Sequence, residues 1–126
     1  DDYQPGARRY DMGERANFAL MPVAKTSLEM LLGWGISNIQ ETLSARNLGI
    51  ADRASQLGLG SVDPALRAGH FLGLRFPDGV PDGLAATLAE NRIFVSVRGP
   101  AMRITPHVFN TDGDVDKLFA VLEQQI

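Results

Sequence analysis

The chain of 126 residues contains no cysteine, which excludes disulfide bonds, thiolate catalysis and every metal site that needs a cysteine ligand. Lysine is almost as scarce, since only Lys25 and Lys117 accompany the arginines, so lysine-based covalent chemistry within the chain would depend on one of these two. No apolar run approaches the ~20 residues of a membrane span, and no secretory leader is visible. We therefore expect a cytoplasmic protein that does not enter a membrane.

The charge and size of the chain narrow its class further. Twelve basic and fifteen acidic residues give a net charge of −3, which argues against a nucleic-acid partner because such proteins usually present a basic surface. Hydrophobic residues make up 44% and charged residues 21%, as in ordinary globular domains. The length fits one compact domain. Because the first residue is aspartate and not methionine, we expect the chain to be part of a longer protein.

The first half of the chain has a helical pattern. Residues 1–7 are polar and interrupted by proline and glycine, so we interpret them as a linker or arm and residues 8–126 as one module. From about residue 16, apolar residues recur at three- and four-residue steps, which predicts a helix whose buried side includes Leu28 and Leu31. A second amphipathic helix follows a glycine-rich turn. The two are expected to form an antiparallel hairpin that makes the larger part of the core.

The second half alternates apolar and polar residues, as strands do. Strands are predicted over residues 70–76, 93–98 and 101–105, with a short helix over residues 83–91 between the first two. Thr111 is a suitable N-cap for a last helix, because Asp112 and Asp114 follow it in the first turn. The order helix-helix-strand-helix-strand-strand-helix predicts an α+β fold, in which a small, mostly antiparallel sheet of about three strands carries helices on one face.

The chemistry-bearing residues do not form a self-sufficient catalytic site, and we predict no catalytic residue and no metal site in this chain. Lys25 stands four residues before Glu29, the spacing of an exposed ion pair on a helix. Lys117 falls on the exposed side of the last predicted helix. His70 and His107 have no acidic residue at the spacing of a metal site.

Two arginines are the remaining candidates. Arg98 and Arg103 flank the turn at residues 99–100, and the alternation of their strands turns both away from the apolar face. A guanidinium in such a place can hold a carboxylate through two parallel hydrogen bonds. The spacing by itself allows a second interpretation, in which both are ordinary exposed residues of a sheet.

The segment that contains these arginines resembles a known family. Residues 97–111 read VRGPAMRITPHVFNT, residues 114–118 read DVDKL, residues 9–18 read RYDMGERANF and residues 32–36 read LGWGI. In their order and spacing they look like the C-terminal small domain of class V aminotransferases. These are fold-type I enzymes that depend on pyridoxal phosphate, and they include cysteine desulfurases and isopenicillin N epimerase-like proteins. The resemblance covers nearly the whole chain.

The resemblance implies that the chain takes part in a pyridoxal-phosphate-dependent reaction on an amino acid. In that family the cofactor and its Schiff-base lysine belong to a large domain that precedes the small one, and the full-length enzyme is expected to be a homodimer. The small domain closes over the substrate, and the matching arginine, Arg103, binds the substrate α-carboxylate. The chain by itself is then expected to be inactive.

A further pair of residues matches the family only in part. Gly13 and Glu14 stand where many relatives carry Gly-Thr, whose threonine reaches the cofactor phosphate of a neighbouring subunit. A glutamate side chain there would bring two anions together, so the resemblance assigns phosphate binding at these positions to backbone N–H groups only. The cysteine of desulfurases is absent from this segment, and transamination, β-elimination, desulfuration and epimerisation stay open.

Two other classes of function were compared with the enzyme hypothesis. A free-standing α+β module that binds a small molecule or another protein without catalysis is the alternative hypothesis. An RNA-binding ferredoxin-like domain is disfavoured by the acidic charge and by the lack of paired exposed aromatic residues on the strands. The sequence immediately upstream would separate the first two hypotheses, because only the enzyme needs a preceding large domain.

Overall fold

The computed structural model describes residues 3–11, 13 and 17–126. The chain divides into two compact units, one ending at Ile36 and the other beginning at Ser37, and each has its own architecture. Within the described residues, no helix has both the length and the apolar character needed to cross a membrane.

The first unit contains a 3-10 turn at Gly6–Tyr10 and helix α1 at Leu20–Trp34. α1 begins later than the predicted start near residue 16, which itself lies outside the described residues. The side chain of Asn17 accepts a hydrogen bond from the Leu20 N–H at 2.8 Å and so supports the observed first turn. The helix ends at Gly35, whose φ of 84° lies in the left-handed region that glycine adopts without strain.

The burial predicted for α1 is wrong. Leu28 is 61% exposed, Leu31 is only half-buried, and the helix contains no buried residue. Apolar residues do form a broad stripe along α1, but most of their side chains are exposed. Amphipathic periodicity indicates which side of a helix is suited to burial, and it does not tell which surface covers that side. The expected hairpin therefore does not make the larger part of the core.

The second unit contains the sheet and the remaining helices. From the unit boundary onward the elements are α2 at Ile36–Gln56, β1 at Leu72–Arg75, α3 at Leu84–Glu90, β2 at Ser96–Arg98, β3 at Ala101–Ile104 and α4 at Asp112–Leu122. A 3-10 turn at Pro64–Leu66 precedes β1. The order of helices and strands is the predicted one, and the α+β fold with a three-stranded antiparallel sheet is confirmed.

The sheet has the strand order β1-β3-β2, with β3 antiparallel to both neighbours. Leu72 and Leu74 of β1 pair with Ile104 and Met102 of β3, and all four side chains are buried, as the alternation predicts. Each strand is shorter than predicted. β3 lies in the centre, and its four residues limit the length over which the outer strands can pair.

One hydrophobic cluster joins the inner face of this sheet to the helices of the second unit. The cluster consists of Ile50, Ala51, Ala54, Leu59, Leu72, Leu74, Phe76, Leu84, Leu88, Met102, Ile104, Leu118, Phe119, Val121 and Leu122. α4 begins at a capping box in which Thr111 and Asp114 exchange hydrogen bonds, so the predicted N-cap is confirmed. The helices cover one face of the sheet, and the opposite face carries the candidate site.

Candidate functional site

Arg103 lies in the middle of the central strand, on the side opposite Met102 and Ile104, and its side chain is exposed. Its cross-strand neighbours are Gly73 on β1 and Ser96 on β2. We call the side of the sheet that carries these three residues the outer face. Both neighbours are small, so neither side chain is large enough to cover the guanidinium of Arg103.

The guanidinium of Arg103 lies over an aromatic ring. Its central carbon is 5.5 Å from the centroid of the Phe71 ring, a separation at which a cation is attracted to the face of an aromatic ring. This contact restricts the arginine without using any of its N–H donors. None of the ion pairs found among residues 3–11, 13 and 17–126 includes Arg103. Its hydrogen-bonding edge is therefore available to an anion.

Arg98, the other arginine singled out from the sequence, lies on the same face. It is exposed at the end of β2, and its Nη1 donates a hydrogen bond to the neighbouring Val97 carbonyl at 2.9 Å. The register brings in a third arginine that sequence reasoning did not nominate. Arg75 of β1 pairs with Ala101 of β3, which also pairs with Arg98. The alternation of β1 already put Arg75 on the outward side, but only the register shows which residues it adjoins.

The loop after β3 is fixed to the rest of the unit by polar contacts. The guanidinium of Arg46 on α2 donates to the Asn110 carbonyl, and the Asn110 side-chain oxygen accepts from the His107 N–H at 2.9 Å. Asp114 accepts hydrogen bonds from the Thr111 N–H at 2.8 Å and from the Asn110 amide at 3.5 Å. These bonds favour the charged carboxylate and hold the pKa of Asp114 below its ordinary value. In this structure the segment that follows Arg103 thus anchors the end of its strand.

The predicted cofactor contacts do not form a site that can be described. Gly13 is exposed and lies outside the helices, in the first unit, whereas Glu14 lies outside the described residues. Lys25 is exposed on α1, and its Nζ pairs with Glu29 Oε1 at 2.6 Å, as its spacing predicts. Lys117 is exposed on α4. Neither lysine is desolvated, as a Schiff-base lysine needs to be.

The two histidines lie in the turn before β1 and in the loop after β3. His70 is exposed in the turn before β1, and the His107 ring stacks on Phe109 with 5.3 Å between the ring centroids. In the described part of the chain, no three His, Asp or Glu side chains come together in a way that could hold a metal ion.

Two exposed phenylalanines stand next to the outer face. Phe71 precedes β1 and is 39% exposed, and Phe94 precedes β2 and is 83% exposed. Both residues lie outside the observed strands. A cavity of about 420 Å³ opens near the end of β3 and is lined in part by Phe94, Thr105 and Phe109, but Arg103 does not line it.

The outer face is thus an open, shallow surface with a free guanidinium at its centre. The exposed guanidinium of Arg103 can bind a carboxylate or another oxyanion in contact with water. No protein-family model matches the chain, and no curated protein matches it.

Proposed function

We propose that this chain is the C-terminal small domain of a cytoplasmic, pyridoxal-phosphate-dependent enzyme of the class V aminotransferase type, and that Arg103 binds the α-carboxylate of its amino-acid substrate. The observation that carries the proposal is the state of Arg103. Its guanidinium is exposed at the centre of the sheet, restrained by Phe71, and it has no carboxylate partner among the described residues. The proposal also rests on the sequence resemblance around this residue.

The open shape of the site is consistent with a second domain that covers it. An ion pair in contact with water contributes little, because water screens the attraction and each partner loses hydration. A domain closing over the outer face would exclude water and strengthen the interaction of Arg103 with a carboxylate. A rigid two-pronged contact would also fix the orientation of the substrate relative to groups on the covering domain.

The residues of this chain do not fit the covalent attachment of the cofactor. Lys25 is engaged with Glu29 on an exposed helix surface, and Lys117 is exposed on α4. The proposal therefore places the Schiff-base lysine in the preceding large domain and gives this chain one task, which is to bind and orient the substrate. The sequence resemblance also makes a homodimer of the full-length enzyme part of the proposal.

The test is the Arg103→Lys variant of the enzyme that contains this chain. Lysine keeps the positive charge and loses the planar fork that matches a carboxylate. We expect kcat/KM for the amino-acid substrate to fall at least about tenfold, equivalent to ~1.4 kcal/mol, with the cofactor absorbance unchanged. Arg53→Lys is the matched control, because Arg53 pairs with Asp116 at 2.6 Å on the helical side of the unit.

Two results would contradict the proposal. Wild-type kcat/KM in Arg103→Lys would show that the carboxylate site lies elsewhere. A reading frame that starts immediately before this chain, with no large domain upstream, would favour the alternative of a free-standing α+β module that binds small molecules or proteins without catalysis.

A further inference from the structure

Three arginines share the outer face of the sheet in a regular arrangement. One row across the strands reads Arg75, Ala101 and Arg98, and the next row reads Gly73, Arg103 and Ser96. Arg103 is therefore the diagonal neighbour of the other two arginines. Diagonal neighbours in an antiparallel sheet are roughly 7–8 Å apart, within reach of long side chains.

Small residues separate the three arginines. Ala101 lies between Arg75 and Arg98, and Gly73 and Ser96 lie on either side of Arg103. The space above Gly73 is open, since a Cβ placed there would meet no atom within 4 Å. The backbone positions of the three arginines are therefore separated by small residues only, and a small molecule can approach the sheet between them.

The positive charge of this face is not neutralised by neighbouring carboxylates. None of the ion pairs in the described ranges includes Arg75, Arg98 or Arg103, although the whole chain carries a net charge of −3. Several positive charges on one face attract an anion together, so an anion that lies among them gains from more than one arginine. One carboxylate satisfies one guanidinium fork, and three forks exceed what a single carboxylate needs.

We infer that the outer face binds a substrate with two anionic groups, and that this substrate is a dicarboxylic amino acid. The inference rests on the proposed function in one respect, namely that Arg103 holds the α-carboxylate. The second carboxylate lies above Ala101, between Arg75 and Arg98. Residues two apart along a strand are about 6.8 Å apart, so the longer glutamate suits the two rows better than aspartate.

The experiment compares glutamate with glutamine, which has nearly the same shape and lacks the second charge. The Nε–Hε signals of the arginines of the 126-residue chain are followed by NMR while each ligand is added. We expect glutamate to shift the signals of Arg75, Arg98 and Arg103, and to bind about tenfold more tightly than glutamine, equivalent to ~1.4 kcal/mol. Glutamine should shift the signal of Arg103 only.

Substitutions then assign the second carboxylate. Arg75→Gln and Arg98→Gln should each reduce the preference for glutamate over glutamine, and the double variant should abolish it while its glutamine affinity stays at the wild-type level. Lys117→Gln is the control, because it removes one positive charge from an exposed position on α4 and should leave the preference unchanged. Backbone amide spectra of every variant confirm that the fold is retained.

The outcomes separate this inference from the proposed function. Equal affinities for glutamate and glutamine, with only Arg103 responding, would overturn the inference and leave the proposed function standing. Equal shifts of all three arginines with inorganic phosphate and with glutamate, at the same affinity, would also overturn it, since the face would then bind any anion. An Arg103 signal that responds to neither amino acid would overturn the inference. The proposed function would then be decided by the kcat/KM of Arg103→Lys in the full-length enzyme, because that function places the outer face under a covering domain.

Discussion

Replacing Leu74 by alanine should destabilise the second unit strongly, whereas the same replacement at Leu28 should have little effect. Leu74 is fully buried on the inner face of β1, where it pairs with the equally buried Met102. Removing a buried leucine side chain loses its transfer free energy and leaves a cavity, which together cost about 2–5 kcal/mol. Because small domains are stable by only about 5–15 kcal/mol, this loss is a large fraction of the total.

The expected effect at Leu28 follows from its exposure. Its side chain is 61% exposed in α1, so most of its apolar area already contacts water. Full burial of a leucine contributes about 1.5–3 kcal/mol, and the residual fraction at this position corresponds to roughly 1 kcal/mol or less. Alanine also has the highest helix propensity, which offsets part of that loss. We expect Leu28→Ala to change the free energy of unfolding by less than about 1 kcal/mol.

The measurement is urea denaturation followed at the methyl signal of Met102, which reports on the core of the second unit. Far-UV circular dichroism recorded on the same samples reports on all helices, including α1. A loss at Leu28→Ala equal to that at Leu74→Ala would refute the reasoning, because it would show that the apolar stripe of α1 is covered in solution.

Three further predictions concern the last helix and the outer face. Thr111→Ala should cost about 0.5–2 kcal/mol of unfolding free energy in urea melts, because it removes the N-cap of α4, and Thr111→Ser should recover most of it. Because the pKa of Asp114 is lowered in the folded chain, this carboxylate stabilises the fold above the ordinary carboxyl pKa of about 4. That stabilisation is lost as the pH falls through the lowered pKa. An Asp114→Asn variant should therefore show a weaker dependence of its unfolding free energy on acid pH in the same melts. Gly73→Val should raise the unfolding free energy by about 0.5–1 kcal/mol and still weaken carboxylate binding in the NMR titration, because the new side chain fills the space beside Arg103.

The sheet was predictable from the sequence because its signal is local. Alternation assigned Leu72, Leu74 and Met102 to the inner face, and all three are buried. The N-cap at Thr111 was equally readable, since a capping box uses residues three apart in the chain. The strand lengths were not predictable from local sequence, because a strand ends where its pairing partner ends.

The burial of α1 was not predictable from its own residues. A stripe that includes Leu28 and Leu31 has the right period for burial, yet Leu28 is 61% exposed. Whether a stripe is covered depends on a second surface, and the residues of the hydrophobic cluster all belong to the second unit. Period and composition carry no information about that second surface.

Some features of the candidate site were predictable from the sequence and others were not. Alternation placed Arg98 and Arg103 on the outer face, because the side of a strand is a local property. The contact of Arg103 with Phe71 and the position of Arg75 beside Ala101 depend on the register between strands. Register is set by the pairing of distant segments, and the sequence of a single strand does not contain it.

Gly73 connects the stability of the sheet with the binding that we propose for the outer face. Glycine in the interior of a strand weakens the strand, because it loses more conformational freedom on folding and contributes no side chain to packing. Nothing in the fold requires glycine here, since its φ is not in the left-handed region and a Cβ would meet no atom within 4 Å. The absence of a side chain does keep the space beside Arg103 open. Glycine at this position thus lowers the stability of the sheet and leaves room for a ligand next to the guanidinium of Arg103. For this reason we expect Gly73→Val to raise the unfolding free energy and to weaken carboxylate binding.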